Sequence, residues 1–291
     1  MTTRRAWWIA LRPFSLPASI VPVLVGTAAA AGESFNLWLF LLALAGGVLI
    51  HSGTNLATDF FDFSHGVQPR ETLSGVIQRG YLSARSVHLA AIAAFAAGSL
   101  CGLVIVAYTG WPVFAAGVAS VLAGYFYTAA PISYGRRGLG EVLVFVFMGL
   151  LMVMASAYVQ LEKLTWTSFY AALPVAFLVA NILHANNLRD IQNDRARGKV
   201  TIATLIDRPA ADRLLWLLMA AAFASVVASV ALGGLPGASL LALAALPWAS
   251  STGRALRERE AVRLNPLVRE SARLHLRFGL LLTLGLLIGL I

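Results

Sequence analysis

The sequence predicts an all-α, polytopic membrane protein with nine transmembrane helices. Three observations carry that prediction: a composition poor in charge, nine apolar runs, and a one-sided distribution of basic residues. The chain has 291 residues, of which 59% are hydrophobic and only 12% charged. Soluble proteins usually carry about 25% charged residues, so the deficit points to a lipid solvent. Crossing ~30 Å of hydrocarbon takes roughly 20 mostly apolar residues, and this chain has enough for many crossings but no room for a soluble domain.

The apolar runs fall at residues 14–32, 36–57, 86–108, 112–130, 139–159, 167–188, 214–233, 236–250 and 273–291. The eighth is short and contains Pro247, which is expected to interrupt it. None of the runs alternates with the period of two that a membrane β-barrel needs. In lipid each segment must satisfy its own backbone hydrogen bonds, so the runs are helices. The N-terminal MTTRRAWWIALRPF is a poor cleavable signal, because the long run after Phe14 reads better as a first span.

Charge then sets the orientation. With nine spans and a cytoplasmic N-terminus, 21 of the 22 Lys and Arg residues fall on the cytoplasmic side, Lys163 being the exception. The positive-inside rule places the N-terminus in the cytoplasm and the C-terminus outside. The net charge of +9 therefore reports topology, and nucleic acid is excluded as a partner. The single cysteine, Cys101, lies in an apolar run, so an intrachain disulfide or cysteine-cluster metal site is impossible.

Two cytoplasmic loops, after the second and sixth runs, are long, and long loops without low complexity are usually functional. Each opens with a similar constellation. HSGTNLATDFFDFSHG (51–66) puts Asn55, Asp59 and Asp62 on one helical face, and ANNLRDIQNDRARGKVT (185–201) does the same with Asn186 or Asn187, Asp190 and Asp194. Acidic groups at a membrane are costly and commonly functional. Mg²⁺ takes oxygen ligands and is typically shared between a few carboxylates and substrate phosphates. Two facing clusters of this kind suit a metal-bound diphosphate. Asp59, Asp62, Asp190 and Asp194 are the candidate metal and catalytic residues. Arg70, Arg79, Arg189, Arg195, Arg197 and Lys199 are candidate phosphate partners. Gly198 would let the backbone approach closely.

The spacing from Asp59 to Asp190 suggests an internal repeat, helices 1–4 and 5–8 of a single domain. Phe60, Phe61, Tyr125, Phe126, Tyr127 and Tyr158 supply aromatic faces that could stabilise an allylic cation, although packing accounts for most such residues. Glu141, opening the fifth run, either pairs with Arg136 or Arg137 or touches a polar substrate. The five histidines share no metal spacing, and His51 and His184 read as packing or supporting groups. Carboxylates near mid-bilayer would suggest a transporter, but these gather at the helix ends.

NLATDFFD and NNLRDIQNDRARGKVT resemble the two aspartate-rich motifs of the UbiA superfamily of intramembrane prenyltransferases. LRPFSLPASIVPVLVG, YTAAPISYGRRGLGEVLVFVFMG and NPLVRESARLHLRFGLLL extend the likeness nearly end to end, toward the branch that prenylates 1,4-dihydroxy-2-naphthoate in menaquinone biosynthesis. The resemblance implies nine helices around a central cavity open to lipid. It also implies two Mg²⁺ ions bridging a polyprenyl diphosphate between the motifs, and a small aromatic acceptor prenylated with decarboxylation. Asn55, Asp59, Asp62, Asn187, Asp190 and Asp194 would hold metal and diphosphate, with Lys199 and Arg79 on phosphate oxygens. Arg70, Tyr127, Glu141 and Arg189 join them as substrate-binding candidates, and an Asp of the first motif would assist deprotonation of the acceptor. The same resemblance leaves another acceptor, such as 4-hydroxybenzoate, open, and implies a bacterial inner-membrane protein. One departure stands out: Gln68 occupies a position where that branch commonly has another Asp.

Overall fold

Apolar sequence in lipid has one low-cost backbone conformation, and the chain adopts it throughout. The computed structural model describes residues 2–67, 74–256 and 265–291, and Gln68, Arg70, Arg257, Arg259 and Arg263 lie outside these. Helices are α1 (Thr3–Leu11), α2 (Pro17–Ala30), α3 (Leu37–Ser64), α4 (Ala84–Thr109) and α5 (Trp111–Phe126). They continue with α6 (Gly140–Leu161), α7 (Trp166–Ala196), α8 (Arg208–Ala231), α9 (Leu246–Leu256) and α10 (Asn265–Ile288). Among the described residues the only β contact is an isolated bridge between Arg137 and Val200.

The nine expected runs are all helical, but they do not all qualify as full spans. Six helices among the described residues are long and apolar enough to cross a bilayer, and a seventh crossing is the bent pair Thr3–Ser15 and Pro17–Ala30. The bend is 47°, with its break at Leu16, and Arg12, whose left-handed backbone (φ 52°, ψ 60°) ends α1, lies four residues before it. α5 has only 16 residues. The run at 236–250 is 3₁₀ over Gly237–Ala245 and then enters α9, so Pro247 helps start a helix rather than breaking one.

Two helices outrun the membrane. α3 has 28 residues and α7 has 31, against the roughly 20 that span hydrocarbon. Both start on the same side. Asn36 caps α3 and Thr165 caps α7, and Gln160 at the end of α6 exchanges hydrogen bonds with the Asn36 backbone (2.6 and 3.3 Å). Counting along each helix, the motif residues emerge together at the opposite face. Much of what reads as loop after runs two and six is therefore helix projecting beyond the lipid.

α7 is the most buried of the long helices and carries much of the core, including Leu178, Val179 and Leu188. α6 packs on it so closely that a β-carbon added at Gly149 would overlap Ala176. Around that contact, Phe145–Leu151 adopts a π-helical turn, a local widening that often accompanies function. Phe147, Met148 and Leu151 from this turn face a central cavity.

Candidate active site

The cavity has a volume of about 390 Å³ and follows the length of α3, from Leu42 to Asp62. Its lining residues on that helix (Leu42, Gly46, Ile50, Thr54, Thr58 and Asp62 among them) recur every four positions, the signature of one helical face. The far end is apolar, with Leu42, Ile105, Val113 and Val159. The near end gathers Asp62, Asp190 and Asp194 with Arg12, Arg136, Arg189, Arg197 and Lys199. The result is one elongated apolar chamber with an ionic mouth.

In the second motif the ionic partners are local. Arg189 forks onto Asp190, with Nε donating to Oδ1 at 2.7 Å and the second nitrogen bonding Oδ2. Lys199 Nζ donates to Asp194 Oδ2 at 2.9 Å, and the Lys199 backbone N–H to the Asp194 carbonyl, also at 2.9 Å. A strand-like contact adds a further cation: Gly138 N–H donates to Val200 O (2.9 Å) and Val200 N–H to Arg136 O (3.1 Å), holding the Arg136 segment beside Lys199. Arg195 points elsewhere, donating to the carbonyls of Thr204 and Ile206.

In the first motif the partners are distant. Asp59 is 1% exposed and stands behind the cavity wall rather than in it. Arg12 ion-pairs with its Oδ1, and Ser74 Oγ donates to Oδ2 at 2.5 Å. Asn55 donates to the Leu11 carbonyl (3.2 Å) and to Ser15 Oγ (3.3 Å). Asn55 and Asp62 of the expected face line the cavity, Asp59 does not, and Asn55 and Asp59 also anchor the α1–α2 connection.

The remaining expected residues separate in the same way. Asn187 turns from the cavity and donates to Glu141 Oε1 at 2.9 Å, while Asn186 lines it. Glu141 pairs with neither Arg136 nor Arg137. Its Oε1 also meets His184 Nδ1 at 3.3 Å, and His184 Nε2 reaches the Ala211 carbonyl at 2.9 Å. Arg79 is exposed and not in the cavity wall. Of the six aromatic candidates only Tyr127 lines the cavity, packed edge-on against Tyr134 with centroids 5.4 Å apart. Phe60, Phe61, Tyr125 and Phe126 form a ring cluster with His88 instead. Burial raises the pKa of the Tyr134 phenol, so it remains a neutral O–H group.

The chain matches the UbiA prenyltransferase family over residues 19–267. It belongs to that family. It is 31% identical over 287 residues to the 1,4-dihydroxy-2-naphthoate octaprenyltransferase of Bacillus subtilis, covering 97% of this chain and 92% of that one. To the enzyme of the same name from Escherichia coli it is 30% identical, covering 97% and 95%. The fold matches a UbiA homolog from Aeropyrum pernix K1 with a TM-score of 0.64 at 18% identity, over 100% of both chains. It also matches a UbiA homolog from Archaeoglobus fulgidus, bound to DMAPP and Mg²⁺, with a TM-score of 0.63 at 16% identity, over 95% and 98%.

This UbiA prenyltransferase is an integral membrane enzyme, and its mouth has the donor set of a hard cation. Asp62, Asp190, Asp194 and the amides of Asn186 and Asn193 offer only oxygen ligands to a metal, with no thiolate among them. Among the described residues no three His, Cys, Asp or Glu side chains converge as a ready-made cage. Magnesium keeps waters and completes its shell on substrate phosphates. Arg12 and Arg136 are the site residues the sequence hid. Each reads as a topological charge, and only tertiary structure brings it to the mouth.

Proposed function

We propose that this enzyme transfers a polyprenyl group from polyprenyl diphosphate to 1,4-dihydroxy-2-naphthoate, with loss of CO₂. The observation that carries the reading is the shape of the cavity: an ionic mouth of three carboxylates and five cations on a long apolar chamber. An isoprenoid diphosphate has the same two parts. The acceptor is taken from the names of the relatives, several of which are 1,4-dihydroxy-2-naphthoate octaprenyltransferases.

Asp62, Asp190 and Asp194 would hold Mg²⁺, two ions on the pattern of paired carboxylate clusters. Bound there, the metal would neutralise charge on the departing diphosphate. Arg136, Arg189, Arg197 and Lys199 stabilise the same leaving group through fixed charge, which needs no reorganisation during reaction. The apolar chamber keeps water from C1 of the donor as its bond to oxygen breaks. Tyr127 presents a ring and a hydroxyl to that region. The electron-rich acceptor ring attacks C1, and departing CO₂ leaves its bond pair to restore aromaticity.

The membrane orientation completes the reading: both motifs open to the cytoplasm, where a soluble aromatic acid is available, and the host membrane is the bacterial inner membrane. The test offers the purified protein one prenyl diphosphate, Mg²⁺ and a panel of aromatic acids, with products read by mass spectrometry. A decarboxylated prenyl-naphthalenediol is expected. Prenylated 4-hydroxybenzoate instead would keep the chemistry and overturn the acceptor.

A further inference from the structure

Arg12 is a cation of the mouth that comes from outside both motifs. It sits in the connection between α1 and α2, where a non-glycine residue is held in left-handed backbone geometry. Such conformations persist only where the surroundings enforce them. Here they do. Asn55 holds the carbonyl before it, Ser15 donates to the Arg12 carbonyl (2.9 Å), and Asp59, itself held by Ser74, fixes the guanidinium from behind. The side chain is 9% exposed and lines the cavity, yet its Nε–H is buried without a partner.

An orphaned buried guanidinium N–H is costly, and a guanidinium fork fits a planar oxyanion. The neighbours distinguish which oxyanion. Arg189 and Lys199 are paired with aspartates proposed for the diphosphate. Arg12 is paired instead with Asp59, behind the cavity wall, and the polar side chains beside it in that wall include the hydroxyls of Ser15 and Ser19 and the imidazole of His51. His51 lies between Ser19 (3.1 Å) and Ser15 (3.4 Å), and Phe14 is beside them in the cavity wall. A ring for Phe14, hydroxyl partners and one fixed positive charge describe an aromatic hydroxy acid.

We infer that Arg12 binds the carboxylate of the aromatic acceptor, and that Asp59 and Ser74 are positioning residues that orient it. The inference deepens the proposed function and rests on that reading of the cavity. It assigns Asp59 a task that a sequence motif alone would give to metal binding.

The test is equilibrium binding without donor or metal, so it does not depend on turnover. The probes are 1-hydroxy-2-naphthoate and 1-naphthol, followed by their own fluorescence. The wild-type protein should prefer the carboxylated probe. Arg12→Gln should weaken it about tenfold or more, the scale of a charge-assisted hydrogen bond, and leave 1-naphthol within about twofold. Arg12→Lys should restore part of the loss. Arg12→Gln leaves Asp59 buried and unpaired, so Arg12→Gln with Asp59→Asn provides a variant without that cost and should show the same selective loss. Equal weakening of both probes, or none, would overturn the assignment. So would unchanged probe binding with weakened binding of geranyl diphosphate, which would make Arg12 a phosphate residue. Failure of the acceptor reading is separately visible: wild-type protein would then bind neither naphthalene probe while still binding geranyl diphosphate.

Discussion

The two aspartate motifs look alike in sequence and are used differently in space. Each offers an amide and two carboxylates on one helical stripe, at the end of a helix too long for the membrane. On α7 both carboxylates face the cavity, each with a cation from its own neighbourhood, Arg189 beside Asp190 and Lys199 five residues from Asp194. On α3 one carboxylate faces the cavity and the other pins a segment 47 residues away. The second motif is a self-contained ionic surface, while the first also serves as the anchor of the α1–α2 connection. Pattern identity therefore does not imply equal roles. The sequence context of the cation decides whether a carboxylate is available to substrate.

The largest expected effects would break or confirm this contrast directly. Asp190→Ala or Asp194→Ala should reduce turnover by roughly 10²-fold or more, the scale of a lost charge-stabilising group. Asp194→Ala should leave the melting temperature in detergent nearly unchanged, since the cation it releases, Lys199, is partly exposed, whereas Asp190→Ala releases the buried Arg189 and should lower it. Asp59→Ala should reduce turnover and also destabilise, because it strands a buried guanidinium at a cost of about 3–5 kcal/mol. Melting curves of the three variants decide the matter. An unaltered melting temperature for Asp59→Ala would put Asp59 with Asp194 and remove its anchoring role. Excess chelator should reproduce the turnover loss of Asp190→Ala without its structural counterpart, and full activity in chelator would remove metal from the account.

Next in size is the geometric premise that both motifs share one face. If α3 and α7 run in the same direction, reporters fused in the segments after Ser64 and after Ala196 must report the same compartment. The N-terminus should report that compartment too, and the C-terminus the other, as the basic-residue asymmetry requires. Matching reports from the two termini would mean an even number of crossings and would overturn the proposed orientation.

Much of this was legible in the sequence because lipid leaves few choices. A low-charge chain with apolar runs of span length must be helical. The ends were less legible. Helix continues through Asp62 and Asp194 because nothing in either stretch breaks it, so segments read as loop are helix outside the bilayer. Within the site, Asp190, Asp194, Arg189 and Lys199 could be found because they are sequence neighbours. Arg12 and Arg136 could not: one arrives through left-handed backbone at the end of α1, the other through a two-residue bridge to Val200. Glu141 was visible as an oddity, but its partners His184 and Asn187 are 43 and 46 residues distant.

The smallest effect sharpens the comparison most finely, since it separates two adjacent and chemically identical residues. Asn186 and Asn187 are roughly 100° apart around α7, so only one can face the cavity. Asn186 does, and Asn187 donates to Glu141 in the protein interior. Asn187→Ala removes one of two partners from a buried carboxylate, leaving His184, and should lower stability by about 1–3 kcal/mol. The Michaelis constant for prenyl diphosphate should move little. Asn186→Ala should do the reverse: its side chain already has a buried carbonyl oxygen without a partner, so folding loses little. A cavity amide available to metal or phosphate is removed, however, and the Michaelis constant should rise several-fold. Thermal melting and donor titration of both variants read the two effects independently. If Asn187→Ala instead raises the Michaelis constant and spares stability, α7 is rotated by one position from the arrangement described, and the assignment of Asp190 and Asp194 to the cavity falls with it.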